Sequence, residues 1–362
     1  MARRITNQYT PDRVSPPGDT LQETLEALGL SQLDLARRIG RTTKNVNQVV
    51  KGKAPILAAM AIQLERVLGV PADFWLAREQ HYRESLARAT ADEELEEETN
   101  WPARFPLKEM IGLGWIKAAA TVGQLKELLR FFGIASPDRF DEVCSATGVA
   151  FRLSPAFKAD PYALAAWLRR GETEAQGIEC APFDAAAFQL ALEQVRTLTA
   201  KLGPNFVDDV QALCAKAGVA VVVVPELPKC RTSGATRWLS PRKAMLQLSL
   251  RYKRDDRFWF SFFHEAGHLV RHGRKLVFID DGSRGDNALE EEADAFARDL
   301  LIPPADYRRF RAEARFDEPS IQRFARSLRI APGIVVGRLQ HDEVLEWSWG
   351  NRLVQKLDWT DP

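Results

Sequence analysis

Residues 262–273 read FFHEAGHLVRHG. Three of the chain's five histidines fall in this stretch, and Glu265 sits among apolar neighbours. The preceding FWFSFF (258–263) and the following Leu269 and Val270 are apolar as well. The pattern predicts a largely buried helix over 258–272, with Asp255 or Asp256 able to cap it. Buried imidazoles and carboxylates need partners. His264 and His268 are four residues apart, so they lie about 40° apart around the axis and about 6 Å along it. Two imidazoles so placed can grip one Zn²⁺ at about 2.0–2.1 Å. Glu265 points to the edge of that face, where it reaches a water on the metal rather than the metal. His-Glu-x-x-His is thus a mechanism written as a spacing. The same spacing also occurs as decoration on a helix surface.

A zinc site of this kind needs a third ligand. His272 lies eight residues after His264, about 12 Å along the helix, and is expected to cap the helix end beside Gly273. In ALEEEADAFARDLLIPP (288–304), Ala293, Phe296, Ala297, Leu300 and Leu301 make an apolar helical stripe. Glu290 and Asp294 fall four apart on one face, which resembles the arrangement of gluzincin-type peptidases, where an acid one turn after a glutamate ligand orients a ligand histidine. Glu290 is the expected third ligand, with Glu291 in reserve. The acidic triplet 290–292 reads alternatively as the solvated start of a helix, favoured by its dipole.

Ahead of this helix the pattern changes kind. GVAVVVVPELP (218–228) is a β-branched run bounded by Gly and Pro, hence a buried strand. RWLS (237–240) and KAMLQLSLRY (243–252) add two more strands. The alternating stretch 244–250 is expected to offer an edge to an extended substrate. Residues 107–200 read as helical, as in VGQLKELLRFF and DAAAFQLALEQVRTLTAKLG. Residues 320–342 again show helix–turn–helix spacing and read as a packing element.

At the other end of the chain, SQLDLARRIGRTTKNVNQVVKG (31–52) predicts a helix from a Ser31 cap to Ile39 and a turn at Gly40. A second helix follows from Thr42, running to Val50 and stopping at Gly52. Leu35, Ile39, Val46 and Val49 face inward. This is the architecture whose second helix enters the major groove. Thr43, Lys44, Asn45, Asn47 and Gln48 are the side chains able to meet base edges. Gln32, Arg37, Arg38, Lys51 and Lys53 suit phosphates. Residues 1–90 carry 13 Lys/Arg against 9 Asp/Glu, and 37–53 hold six basic residues and no acidic one. That clustering, not the overall charge of +1, points to nucleic acid. A helical hairpin with a solvated polar face fits the same pattern.

The chain has 362 residues, 45% hydrophobic and 27% charged, enough for several domains with real cores. No apolar run approaches the roughly 20 residues of a membrane helix. The N-terminus lacks an apolar signal core. Cys144, Cys180, Cys214 and Cys230 form no C-x-x-C pair and read as reduced packing residues. A cytoplasmic protein is expected. The run DEELEEE (92–98) and the prolines of NWPARFP (100–106) mark a boundary. The expected organisation is a DNA-binding domain at 1–90, an acidic and proline-containing linker at 91–106, and a helical region at 107–200. An α+β zincin-like peptidase domain follows at 201–305, and a helical extension at 306–362. The fold class is multidomain and mainly α.

Two resemblances sharpen this reading. Residues 15–86, through G-x-S-Q-x-x-L-A and L-G-x-x-x-x-F-W, resemble the XRE-type helix-turn-helix of HigA-like antitoxins, which implies operator binding as a homodimer, usually as a repressor. FHEAGHLVRHG followed by EEEADAFARDLLIP resembles the ImmA/IrrE metallopeptidase family. That likeness implies His264, His268 and Glu290 as zinc ligands, Glu265 as general base and Asp294 behind a ligand. It also implies cleavage of helix-turn-helix repressors, often in stress responses. In that family the peptidase is often a separate chain from the repressor, whereas both patterns stand here in one polypeptide. A pure repressor or antitoxin whose peptidase-like domain only senses or dimerises is the rival reading. An adaptor needing neither zinc nor DNA is a third.

Overall fold

The computed structural model describes residues 14–146, 159–201, 203, 205–272, 278–280 and 288–357. It is mainly α, and it divides into two compact units, Met1–Glu98 and Thr99–Pro362. Among the described residues no helix is long and apolar enough to cross a membrane.

The first unit holds α1 (Pro17–Ala27), α2 (Gln32–Ile39), α3 (Thr43–Val50), α4 (Ala58–Leu68) and α5 (Ala72–Glu96). Local chemistry sets the α2–α3 corner. Ser31 and Asp34 form a reciprocal capping box at the start of α2, the chain turns at Gly40 with φ 68°, and the Thr42 hydroxyl accepts from the Asn45 amide. Leu35, Ile39, Val46 and Val49 then close on Leu21, Leu25, Leu64 and Trp75 in one core.

The second unit continues with α6 (Leu107–Gly112), α7 (Thr121–Phe132), α8 (Phe140–Ala146), α9 (Pro161–Gly177), α10 (Ala185–Leu198) and α11 (Phe206–Ala215). Strands β1 (Val219–Val223), β2 (Gly234–Ser240) and β3 (Lys243–Leu248) follow. Then come α12 (Asp255–Arg271), β4 (Phe278–Asp280), α13 (Ala288–Leu301), α14 (Pro304–Glu313), α15 (Glu318–Leu328) and α16 (Pro332–His341). The four strands form one sheet in the order β1-β3-β2-β4, with β3 parallel to β1 and antiparallel to β2.

That order corrects the sequence expectation for 244–250. β3 is an interior strand, paired on both sides, and the outer positions go to β1 and β4. Its alternation marks two covered faces rather than an open edge. Ala244, Leu246 and Leu248 join the core around α12. Gln247, on the other face, is buried and donates to the Trp167 carbonyl of α9 at 2.8 Å.

Two of the expected segments carry packing of their own. Within 91–106, where the two units divide after Glu98, residues 91–96 complete α5, and Trp101 and Phe105 are buried among Phe132 and Phe140, with ring centroids 4.8–6.4 Å apart. The two aromatic rings in NWPARFP outweigh its prolines. The packing does not separate 306–362 from what precedes it. Phe310, Ile321, Ile334, Val335, Leu339 and Leu357 share a core with Phe188 and Leu192 of α10 and with Trp259, Phe262 and Phe263 of α12. Each such buried side chain contributes about 1.5–3 kcal/mol. That apolar burial carries the cost of placing polar groups on the same helix.

Candidate metal centre

Helix α12 begins at Asp255, with Arg254 as its N-cap and no side-chain cap bond, so neither aspartate caps it as expected. Asp255 is fully buried and accepts from the amides of Asp256 (2.9 Å) and Gln355 (3.0 Å). Burial pushes its carboxyl up to about 7, aided by the neighbouring Asp256 charge.

Two turns on, His264, Glu265 and His268 are all buried. Helix α13 packs against this face. Gly267 allows the approach: a Cβ there would stand 3.1 Å from the Phe296 ring and 3.2 Å from the Ala293 Cα. The contact brings Glu290 over the two histidines. His264 Nε2 is 3.0 Å from His268 Nε2 and 3.1 Å from Glu290 Oε2, and His268 Nε2 is 3.4 Å from the same oxygen. These three residues offer ligand atoms that all lie within 4.8 Å of one another. A tetrahedral zinc with bonds of about 2.0–2.1 Å separates its ligand atoms by about 3.3 Å. The edges of the triangle match that spacing, and two imidazoles with a carboxylate are a donor set that zinc accepts.

The far nitrogens are held as well. His264 Nδ1 is 2.8 Å from Asp294 Oδ1, so an imidazole protonated there donates to the aspartate and leaves Nε2 as a lone pair. His268 Nδ1 lies 2.9 Å from His272 Nδ1, and His272 Nε2 lies 3.2 Å from Glu292 Oε2. Phe278 of β4 stacks on the His268 ring at 3.8 Å and 15°. Burial lowers the basicity of His268. Burial also pushes the Glu290 carboxyl up, but its hydrogen bonds to His264 and His268 outweigh this and hold it at about 2. Both groups thereby favour the deprotonated form that a cation requires.

Glu265 is fully buried beside the histidines and is not one of the three ligand candidates. Its carboxyl lies against Gly234 at the start of β2, where a Cβ would be 2.6 Å from Glu265 Cγ and 2.7 Å from Oε1. Only glycine leaves room for that carboxyl.

The structure thus brings His264, His268, Glu290 and Asp294 together and gives the acidic triplet three different fates. Glu290 joins the histidines, Glu291 is exposed, and Glu292 meets His272. His272 does end α12, its amide donating to the His268 carbonyl at 3.0 Å. Its contact with the His268 ring was not foreseen, although its spacing of four residues from His268 is a signal for it. Gly234 and Phe278 are distant in sequence and carried no signal. Cysteine plays no part: Cys144, Cys214 and Cys230 are buried and burial pushes their thiols up to about 12.

In the first unit Thr43, Lys44 and Gln48 are exposed on α3, as are Arg37, Arg38, Lys51 and Lys53 around it. Asn45 and Asn47 are half-buried. Asn47 donates to Gln32 Oε1 at 3.1 Å, and Gln32 donates to Gln22 Oε1 at 2.9 Å. Gln32, expected at a phosphate, also braces α3 against α2.

Residues 220–340 match the family described as the IrrE N-terminal-like domain, a peptidase family, and residues 21–75 match the helix-turn-helix family. An uncharacterised helix-turn-helix-type transcriptional regulator of Escherichia coli K12, YddM, is 32% identical over 76 residues, 21% of this chain and 81% of that one. Among solved structures, Pseudomonas aeruginosa antitoxin HigA with the higBA promoter is 32% identical, covering 24% of this chain and 95% of that one, with a TM-score of 0.23. A HigA-family addiction-module antidote protein from Coxiella burnetii is 29% identical over 24% and 95%, with a TM-score of 0.22. Through its N-terminal part the chain belongs to the HigA/XRE-like helix-turn-helix regulators, and fused behind that part is an IrrE-like domain of a peptidase family.

Proposed function

We propose that this chain is a DNA-binding transcriptional regulator whose IrrE-like domain is a zinc-dependent endopeptidase. It binds an operator as a homodimer and cuts a helix-turn-helix repressor, either this chain or a partner, in a stress, prophage or toxin–antitoxin type of response. The observation that carries the enzymatic half is the triangle of His264 Nε2, His268 Nε2 and Glu290 Oε2, with 3.0–3.4 Å sides. Support for the other half comes from the exposed Thr43, Lys44 and Gln48 on a capped α3, with four exposed cations nearby, and from the likeness to a regulator of transcription.

His264, His268 and Glu290 would hold the zinc, which would supply Lewis-acid activation of a water and of the scissile carbonyl. Asp294 and His272 fix the two ring planes, so the ligands need not reorganise during reaction. Glu265 accepts a proton as the water oxygen adds to the carbonyl carbon. It then delivers that proton to the amide nitrogen as the C–N bond breaks. Gly234 limits where that carboxylate can sit.

The test combines metal analysis with cleavage. Wild type and Glu265→Gln are purified, their zinc is measured, and each is incubated with helix-turn-helix proteins encoded near its gene and with a tagged second copy of itself. One zinc per chain in both, with cleavage by wild type alone, is expected. Equal cleavage by both, or by neither, ends the enzymatic reading and leaves a repressor with a sensing or dimerising domain.

A further inference from the structure

Next to the metal triangle, on the same two helices, lies a separate cavity. Counting back from His264 along α12, the residues one and two turns away are Phe260 and Arg257, and one turn after Asp294 on α13 comes Arg298. The Phe260 ring is 6.2 Å from the His264 ring, so the two regions adjoin. Phe260, Arg257 and Arg298 line a cavity of about 60 Å³ walled by Leu301, Ile302 and Ile334.

Its charges are unbalanced. Asp256 also borders the cavity, but Arg254 already holds it at 2.9 and 3.0 Å. Arg338 is likewise taken, by Asp342 at 2.8 Å. Arg257 and Arg298 make no ion pair among the described residues. Arg257 is held instead between two exposed rings, 5.5 Å from Tyr252 and 5.1 Å from Trp347. Rings fix the guanidinium in place without neutralising it, leaving its donors for a planar anion.

We infer that this cavity is a subsite for an acidic side chain of the peptide substrate, held by Arg257 and Arg298 over an apolar floor. The inference rests on the endopeptidase reading and names its substrate class. A carboxylate suits the site better than a nucleic-acid phosphate. The cavity has room for one short side chain, and its walls are apolar where a nucleotide would need a wide, solvated path. Arg257 lies seven residues before His264, about 10 Å along the helix. An extended chain covers that distance in about three residues. The favoured acid therefore stands about three residues from the bond that is cut.

A suitable acidic ligand exists in the chain itself, in residues 92–98, six acids in seven. The test uses a fluorescent peptide of residues 88–104 and its uncharged counterpart, with Gln for Glu and Asn for Asp. Both are titrated into full-length, zinc-loaded Glu265→Gln protein, which binds without cutting. The acidic peptide is expected to bind at least tenfold more tightly, and adding Arg257→Gln and Arg298→Gln should remove the difference with zinc content unchanged. Adding Arg257→Glu and Arg298→Glu instead should turn the preference toward a lysine version of the peptide. Equal binding of the first two peptides, a preference surviving both Gln substitutions, or equal competition by an oligonucleotide of the same charge overturns the inference. Cleavage by the parent protein with none of this preference removes the subsite alone. Preference with no cleavage of any substrate keeps an acidic-peptide site and removes the hydrolysis.

Discussion

Helices α3 and α12 both carry polar residues on one face and apolar residues on the other, yet they use them in opposite ways. On α3 the polar face holds Thr43, Lys44 and Gln48 out to solvent, and the helix is set by a local cap and by Val46 and Val49 beneath. On α12 the polar residues His264, Glu265 and His268 are buried, and the two imidazoles meet each other, Glu290 and Asp294 of α13, and His272 at the helix end. A surface that reads DNA needs only exposed donors on a stiff support. A catalytic metal site needs groups that water cannot satisfy and that the fold must therefore satisfy itself.

The comparison makes the two halves separately breakable. The largest effect is expected for His268→Ala, which removes one corner of the triangle: bound zinc should fall to background by mass spectrometry, while operator binding in a gel shift stays at wild-type level. Loss of both would mean that the regions are not independent.

Next comes Gly234→Ala, whose new Cβ meets the Glu265 carboxyl. Cleavage should drop about 100-fold from the misplaced base, with zinc content retained. A variant that keeps full rate would free Glu265 from the role given to it.

On the exposed helix, Lys44→Ala with Asn45→Ala should weaken specific operator binding by about 1–3 kcal/mol per lost base contact. The peptidase rate should not change. An unchanged shift would move the reading surface elsewhere.

A pH effect separates the buried start of α12 from everything exposed. Asp255 is pushed up to about 7 in the folded chain, against the 3.8 of a free aspartate. The folded state therefore holds this proton more tightly than the unfolded one, and stability falls as pH rises from about 4 to 7. Asp255→Asn should remove that slope and raise stability above pH 7 by on the order of 2 kcal/mol. Denaturant unfolding at pH 4.5 and 8 measures it, and a variant less stable than wild type at pH 8 contradicts the burial argument. The smallest effect is local: Thr42→Ala removes the α3 cap and should cost about 1 kcal/mol, read as a lower melting temperature of the first unit.

Much of this was legible in the sequence, for different reasons in the two helices. The α2–α3 corner is written in adjacent residues, because Ser31, Gly40 and Thr42 act within one turn of themselves. His264 and His268 were legible because helical period alone puts them on one face. Glu290 was legible as a candidate through its spacing to Asp294, but nothing in 290–292 distinguishes one glutamate from the next. The edge role expected of 244–250 failed because alternation reports which faces are covered, not which neighbours a strand pairs with. The boundary within 91–106 was legible in its acidic run and prolines, but the burial of Trp101 and Phe105 was not, because proline content says nothing of where those rings find a core.

The sequence by itself determined the helices, the caps of α2 and α3, and the spacing of two imidazoles and a carboxylate, all of which depend on interactions within a turn or two. Only the tertiary structure decided that Glu290 and not Glu291 meets them, that β3 lies inside the sheet, that Gly234 seats Glu265, and that Arg257 and Arg298 share a cavity. Those outcomes join residues tens of positions apart. They follow from how closely helices and strands can approach, which no local pattern records.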